Sequence, residues 1–421
     1  MKTIILAAGF AAVAGTAWAG LPVGRGEITA SLTGTEIYDS NVFGTPDATA
    51  DFSTTLAPRL SYRRQAGQIE AEANAGISFI RYLDQTQLNA DNLAVDGTLR
   101  FTESDLRNYS GFLSAAYVEA SDISTDLNAR INTKTTTLAG HAALATGPRS
   151  DVTLDGNYAD TLRSLGSNQQ ILTTEVVYDY KDFFYGNTLR LSGDYDELRS
   201  SGDNSLGVPL NQNSHTLTAG LERAFAETAL RVRVSYGYRV LNRSGAETAS
   251  GARQQEGSVF TASLEGPFLP EKYFPKITSR FSLAYQDAAT PGINDTGTKE
   301  LTGSLSLAWQ ARENTKVSFT AERNQHLSVS DLSVVSTHVQ LELDQTLRYN
   351  LTGSLTTGYD WSSYRTTARE DRTASVGAGL KYHFARAWDA SLTYALNSTT
   401  STFRQSTFDR HVVSLGVTYQ F

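Results

Sequence analysis

The chain has 421 residues, a formal net charge of −8, no cysteine and 40 % hydrophobic residues. The acidic balance argues against nucleic acid, or an anionic membrane surface, as the main partner, and the lack of Cys excludes a disulfide framework. The apolar share lies below the ~45–50 % usual for globular domains, while 20 Tyr and 18 Phe against 9 Pro and 1 Met favour strands over helices.

The first 19 residues read as an export signal. Lys2 supplies the positive end, Ile4 to Ala14 form an apolar run of 11 residues, and Ala17-Trp18-Ala19 is a small-x-small cleavage site ahead of Gly20. The run is too short to span a bilayer, which takes roughly 20 apolar residues, and a buried N-terminal helix would not need these three parts in this order. The expected domains are therefore a signal peptide, 1–19, cleaved between Ala19 and Gly20, and one barrel domain, 20–421. Losing the leader removes one Lys and no acid, which takes the charge from −8 to −9.

From Glu27 onward one theme repeats: a segment of alternating apolar and polar residues, then a turn or loop. Candidate strands fall near 27–38, 52–63, 68–82, 92–102, 108–119, 133–146, 150–162, 170–180, 187–198 and 213–225. They continue near 228–241, 257–266, 276–287, 299–310, 315–326, 334–346, 350–363, 372–384, 388–399 and 409–421. In the strand from Leu230 to Val240, Leu230, Val232, Val234, Tyr236, Tyr238 and Val240 share one face, and Arg231, Arg233, Ser235 and Arg239 the other. The expected fold class is all-β, a transmembrane antiparallel up-and-down barrel of about 20 strands, with 18–22 as the range.

The connections alternate in length. Short ones include Arg64–Gly67, Gly147–Arg149, Ala226-Glu227, Ala311–Asn314 and Ala385–Ala387; the alternate ones are longer and polar, as at Ser40–Asp51, Ser121–Asn132, Ser200–Gln212, Asn242–Glu256 and Ala288–Thr298. Outer-membrane barrels have this asymmetry, with short periplasmic turns and longer extracellular loops. Gln65, Pro148 and Arg312 are thus expected in the periplasm, and Pro46, Asn128, Asn204, Ala249 and Asn294 outside the cell. The segment Gly266 to Pro275, with three prolines, is too long for its short-turn side: it is a distinctive turn or a slip in the count.

Twenty strands leave an aqueous interior that side chains cannot fill. An arginine toward the lipid midplane costs about 2–4 kcal/mol, so the charges on the polar faces belong to the lumen. The pore-lining candidates are Arg190, Asp194, Asp196, Glu222, Arg231, Arg233, Arg239, Arg280, Glu322, Glu342, Asp344, Asp360 and Lys381. They form either a neutralised, hydrated wall or a constriction with opposed charge rows. Aromatics near strand ends, among them Tyr62, Phe79, Tyr117, Trp309, Trp361 and Tyr394, fit interfacial girdles.

No nucleophile elbow, zinc-helix, Walker or dinucleotide motif is present. Of the six histidines, none has a partner His at metal-ligand spacing, and His338 and His383 fall on polar faces as wall residues. The loops at Asp39-Ser-Asn41 and Asn294-Asp-Thr296 carry only a weak Ca²⁺ signal. No catalytic residue, metal or cofactor is expected, and the chain is not expected to be an enzyme. Strands begin within ten residues of the cleavage site, which leaves no length for an N-terminal plug, so a TonB-dependent receptor is not expected either.

The last strand, His411 to Phe421, puts Val413, Leu415, Val417, Tyr419 and Phe421 on one face. This ending resembles the assembly signal of bacterial outer-membrane barrels, with Tyr419 and Phe421 as its aromatic residues. Near the start, Tyr38-Asp-Ser-Asn-Val-Phe43 and Asp51-Phe-Ser-Thr-Thr-Leu-Ala-Pro-Arg-Leu-Ser-Tyr-Arg-Arg64 resemble the opening of β-barrel porin family 2, which is also similar to barrels encoded with exopolysaccharide export systems. The resemblance implies the barrel and the outer membrane of a Gram-negative bacterium, with membrane lipid, lipopolysaccharide, the assembly machinery and small solutes as partners. The expected function is a passive porin-like channel for small hydrophilic solutes; the alternative is a component of exopolysaccharide export, working with export proteins.

Overall fold

The computed structural model describes residues 21–102, 108–124, 127, 129–202, 210–225, 229–244, 254–269, 272, 274, 276–287, 299–329, 332–365 and 367–421. The expected export leader with its expected Ala19–Gly20 cleavage site, the expected short turn at Ala226-Glu227, and the loop positions Asn128, Asn204, Ala249 and Asn294 lie outside them. The first strands are β1 (Leu21–Val23), β2 (Gly26–Asp39), β3 (Asp51–Ala66), β4 (Ile69–Tyr82), β5 (Ala90–Phe101), β6 (Tyr109–Ser124) and β7 (Ala129–Gly147). Then come β8 (Ser150–Arg163), β9 (Ser167–Phe184), β10 (Asn187–Gly202), β11 (Leu210–Phe225), β12 (Leu230–Ser244), β13 (Gln254–Glu265) and β14 (Ile277–Gln286). The last are β15 (Glu300–Arg312), β16 (Thr315–Leu327), β17 (Ser333–Arg348), β18 (Leu351–Tyr364), β19 (Glu370–Ala385), β20 (Trp388–Ser401) and β21 (Phe408–Gln420).

β2 to β21 pair antiparallel, each with its chain neighbours, and β2 closes the ring on β21, from Ser31↔Gln420 to Asp39↔Val412. The fold is the expected all-β barrel of 20 strands, with β1 as one addition. That addition has a physical reason. β21 ends before it covers the first residues of β2, where the Phe421 amide donates to the Ala30 carbonyl at 2.8 Å. β1 turns back at Gly24 (φ +64°) and pairs from Leu21↔Ile28 to Val23↔Gly26, which covers the rest of that edge. In a bilayer an open edge is not tolerated, because its amides and carbonyls find no water.

Alternation sorts the side chains. Leu60, Leu154, Leu217, Tyr236, Leu355 and Leu415 stand on the outside, exposed to the surrounding lipid. The barrel has no central apolar core. Its most enclosed side chains, among them Asn41, Val42, Ser167, Ser200, Leu210, Leu241, Ser333 and Ser406, gather toward one end. This is the end with the longer connections, here called the outer end because such connections face outside in outer-membrane barrels.

Several expected loops are shorter than their polarity suggests. Ser121–Asn132 is mostly ladder, paired from Ser121↔Asn132 to Ser124↔Ala129. At Ser200↔Leu210 and Asn242↔Gln254 the ladder likewise runs on into the ends of the expected loops. Above the membrane a strand has no apolar face, so its polar composition reads as loop although the backbone ladder continues. The long connection between β13 and β14 is a turn of its own at the short-turn end, and the strand count does not slip there. Gly266 opens it at φ +115°, tied to Ser279 by backbone hydrogen bonding, and Phe274 packs edge-on against Trp309 at 5.6 Å between ring centres.

Candidate functional site

The inner wall carries a polar chamber of about 600 Å³, lined by residues of β6 to β14. One register row across its floor runs Asp155, Glu175, Asp194, Thr216, Arg239. Three carboxylates on adjacent strands repel one another, and arginines from the same wall offset them. Arg190 donates to Asp179 at 3.2 Å and lies 4.0 Å from Glu175. Arg233 grips Glu222, with its Nε at 2.8 Å. Arg239, only 8 % exposed, donates to Ser214 at 2.9 Å and to Gln286 at 2.8 Å, and its guanidinium lies 3.9 Å from Asp196. Asp196 in turn accepts from the Ser214 hydroxyl at 3.1 Å.

The remaining charged candidates do not join this chamber. Arg280 pairs with Glu265 at 2.6 Å toward the periplasmic rim, and Arg231 stands opposite the same Glu265 in register. Glu322 accepts from Asn324, and Glu342 faces Ser318 and Thr356 across the ladder. Asp344 and Lys381 line a second hollow of about 450 Å³ with Lys316, and Lys381 reaches Asp389 at 3.4 Å. Asp360 is held by His338 Nδ1 at 2.6 Å, as Asp389 is by His383 and Asp155 by His141, both at 2.7 Å. These histidines brace the wall across strands. Among the described residues no group of three or more His, Asp or Glu side chains is placed to hold a metal ion.

The outer mouth was not legible as a site. Its first part is the Tyr38-Asp-Ser-Asn motif. Asp39 accepts from Arg410 Nε at 3.0 Å and Nη2 at 2.7 Å, and from the Asn41 amide at 3.0 Å. Asn41 Oδ1 accepts from the amides of Gly44 and Thr45, so its side chain builds the turn that Gly44 (φ +64°) completes. The turn points inward: Arg130 of β7 donates to the Val42 carbonyl, and Gly44 lies against Ile123 and Phe408. The weak Ca²⁺ signal at Asp39–Asn41 is thus accounted for by internal partners; that at Asn294–Thr296 falls outside the described residues.

The second part spans the barrel. The Ser167 amide, at the start of β9, donates to the Val329 carbonyl after β16 at 3.0 Å, and Gln169 Nε2 to the Ser328 carbonyl at 3.3 Å. A round barrel of twenty strands, spaced 4.8 Å apart and tilted by 40°, would be about 40 Å across. Two short connections so far apart around the wall meet only if the mouth is drawn in. Charge pairs on two buried carboxylates fix the rim beside them: Glu300 with Arg365 and Arg323, and Asp371 with Arg369 at 2.7 Å.

At the opposite rim Tyr382, Phe384, Trp388, Tyr419 and Phe421 form one continuous aromatic row, with neighbouring ring centres 4.6–6.2 Å apart. The proposed assembly residues Tyr419 and Phe421 are its last two members.

Residues 285–421, about a third of the chain, match the family described as "Putative beta-barrel porin 2". The resemblance to that family therefore holds over the last strands, while the motifs near Tyr38 and Asp51 that suggested it lie outside the matched residues. No curated protein matches the chain. Among solved structures, it is similar to the siderophore receptor PirA from Pseudomonas aeruginosa, with 12 % identity over 95 % of this chain and 81 % of that one, at a TM-score of 0.51. It is also similar to the ferric-catecholate import receptor Fiu from E. coli K12, at 8 % identity, 93 % and 81 % coverage and a TM-score of 0.53. The ferric preacinetobactin receptor BauA from Acinetobacter baumannii gives 9 % identity, 94 % and 80 % coverage and 0.53. At these identities the likeness is one of fold, and it puts the barrel in the outer membrane of a Gram-negative bacterium.

The expectation of a passive porin-like channel does not hold. The barrels that this one matches along nearly its whole length are a siderophore receptor, a ferric-catecholate import receptor and a ferric preacinetobactin receptor, not passive porins. The physical reason for the error is that strand number and polar inner faces are common to both kinds of barrel.

Proposed function

We propose that this protein is a receptor-type import barrel, non-enzymatic, which stays closed at its outer mouth until a polar ligand binds there. The observation that carries the reading is the contact of Ser167 and Gln169 with Val329 and Ser328 across the mouth. The charged chamber below, with its arginines and carboxylates fixed by mutual contacts, gives an imported polar solute a preorganised surface. Metal–chelate complexes, the class named in the titles of the three fold neighbours, are the first ligands to test. The pore-lining candidates Arg190, Asp194, Asp196, Arg233 and Arg239 then act as the inner binding wall.

The test has two arms. In planar bilayers the purified protein is expected to show no steady conductance, and a variant that lacks residues 42–49 to show open-channel steps. In titrations monitored by Trp fluorescence, a panel of ferric siderophores is expected to include at least one saturable binder. Steady conductance of the unaltered protein would overturn the reading.

A further inference from the structure

The charges of the chamber do not cancel. Each cation in or behind its wall already holds an acid. His141 pairs with Asp155 at 2.7 Å, Arg190 with Asp179 at 3.2 Å, and Arg233 with Glu222. Arg239, buried in the wall, lies 3.9 Å from Asp196 and also donates to Ser214 and Gln286. Glu175 has only the shared Arg190, at 4.0 Å. Asp194 has less: among the described residues it takes part in no hydrogen bond and no ion pair. Even with His141 charged, the carboxylates of the chamber and its paired neighbours outnumber the cations by two.

Position makes Asp194 the receiving group. It lines the hollow, half-buried, with Glu175 directly across on β9 and Asp196 two residues on along the same face of β10. Neighbouring strands stand about 4.8 Å apart, so the carboxylates of Asp194 and Glu175 face the same space. A protonated amine suits that spacing, because its tetrahedral N–H bonds, about 2.8 Å long to oxygen, reach acceptors roughly 4.6 Å apart. A bare metal ion does not, since among the described residues no three such groups converge on one point. An anion meets the reverse situation: the arginines are turned to the acids of the wall, and Asp194 repels it. Phe112 lines the same hollow and supplies an apolar ring for the body of the solute.

We propose that the chamber selects solutes that carry a protonated amine, seated on Asp194 with Glu175 and Asp196 as its neighbouring acceptors. This rests on the receptor reading above and narrows its ligand class. Of the metal chelates to be tested, those with a free ammonium group fit, and those whose outer groups are carboxylates do not. The amine brings the counter-ion that the wall leaves out, and it relieves the repulsion among three carboxylates at neighbouring positions.

The experiment uses the full barrel in zwitterionic micelles, titrated calorimetrically with three probes of matched length: hexamethylenediamine, hexanediol and adipate. The diamine is expected to bind at least about tenfold more tightly than the diol, and adipate not measurably. Asp194→Asn, which keeps the shape of the side chain, should weaken the diamine by about tenfold. Asp344→Asn, in the second hollow, should leave it unchanged. The order of the three probes is read on the unaltered protein and needs no variant to fold. No binding of the diamine, equal binding of the diol, preference for adipate, or full diamine affinity in Asp194→Asn would each overturn the proposal. Equal losses in Asp194→Asn and Asp344→Asn would do the same, because they would mark diffuse attraction to an acidic protein. The receptor reading fails separately, by steady conductance in bilayers, which leaves the order of the three probes untouched.

Discussion

Arg239 keeps a full charge inside the wall because three partners share it: Ser214, Gln286 and Asp196. Its replacement by Met leaves those groups facing one another without the donor. We expect Arg239→Met to cost about 2–3 kcal/mol in urea unfolding from micelles. Arg231→Ser, at the rim opposite Glu265, should stay within about 0.5 kcal/mol. Equal effects would mean that the Arg239 network is dispensable. Asp39 is the matching residue of the mouth, and Asp39→Ala removes the acceptor for Arg410 and for the Asn41 amide. The inward turn should then loosen, seen as brief conducting events in bilayers where the unaltered protein shows none. The Tyr285 hydroxyl, with Lys299 behind it, holds the Asp287 carboxyl below the usual carboxylate range. A carboxylate depressed in the folded state contributes above its unfolded pKa of about 3.9 and is lost as pH falls through the lower folded value. The Asp287–Lys299 pair should therefore persist unchanged from about pH 5 to 8, and the stability difference between the unaltered protein and Asp287→Asn in urea should be flat across that window.

At the scale of the element, backbone fit between neighbouring strands matters as much as side-chain pairing. A Cβ at Gly237 of β12 would lie 2.3 Å from the Leu217 carbonyl oxygen and 3.0 Å from the Thr218 Cα. Both are backbone atoms of β11 and cannot rotate away. Gly237→Ala should lower stability by roughly 1–3 kcal/mol, whereas Gly156→Ala, with nothing within 4 Å, should be neutral or better. Heat-modifiability on gels separates the two outcomes, and a folded Gly237→Ala barrel of unaltered midpoint would contradict the packing argument. The same scale marks where sequence reading stops. The alternation of Leu230 to Val240 named both faces of β12 correctly, because lipid demands an apolar residue at every second position. The outer parts of β6, β7, β10 and β11 were read as loop, because once a strand leaves the membrane nothing demands that alternation.

For the whole molecule, orientation and closure are the properties at stake. With no native Cys, Pro46→Cys in the first long connection and Gln65→Cys in the first short turn give a clean pair. A membrane-impermeant maleimide should label Pro46→Cys on intact cells, and Gln65→Cys only after the outer membrane is opened. The reverse pattern would invert the barrel. Closure of the ring depends on β2, whose edge is shared between β21 and β1. Removing residues 21–25 exposes the backbone of Gly26 to Ile28 at the periplasmic rim, and assembly should slow without loss of the final fold.

The sequence by itself determined the class of fold, the number of strands and their lipid and lumen faces. Those follow from one local rule, that a strand in lipid must alternate and must be paired on both sides. Only the tertiary structure decided that the mouth is drawn in, that Asp39 and Asn41 serve a turn and not a cation, and that the lumenal charges divide between one chamber and scattered wall pairs. Each of these depends on contacts between residues far apart in the chain, such as Asp39 with Arg410 and Ser167 with Val329. Alternation within a strand carries no record of what stands across a lumen about 40 Å wide, so whether the mouth is open or drawn in lay beyond it.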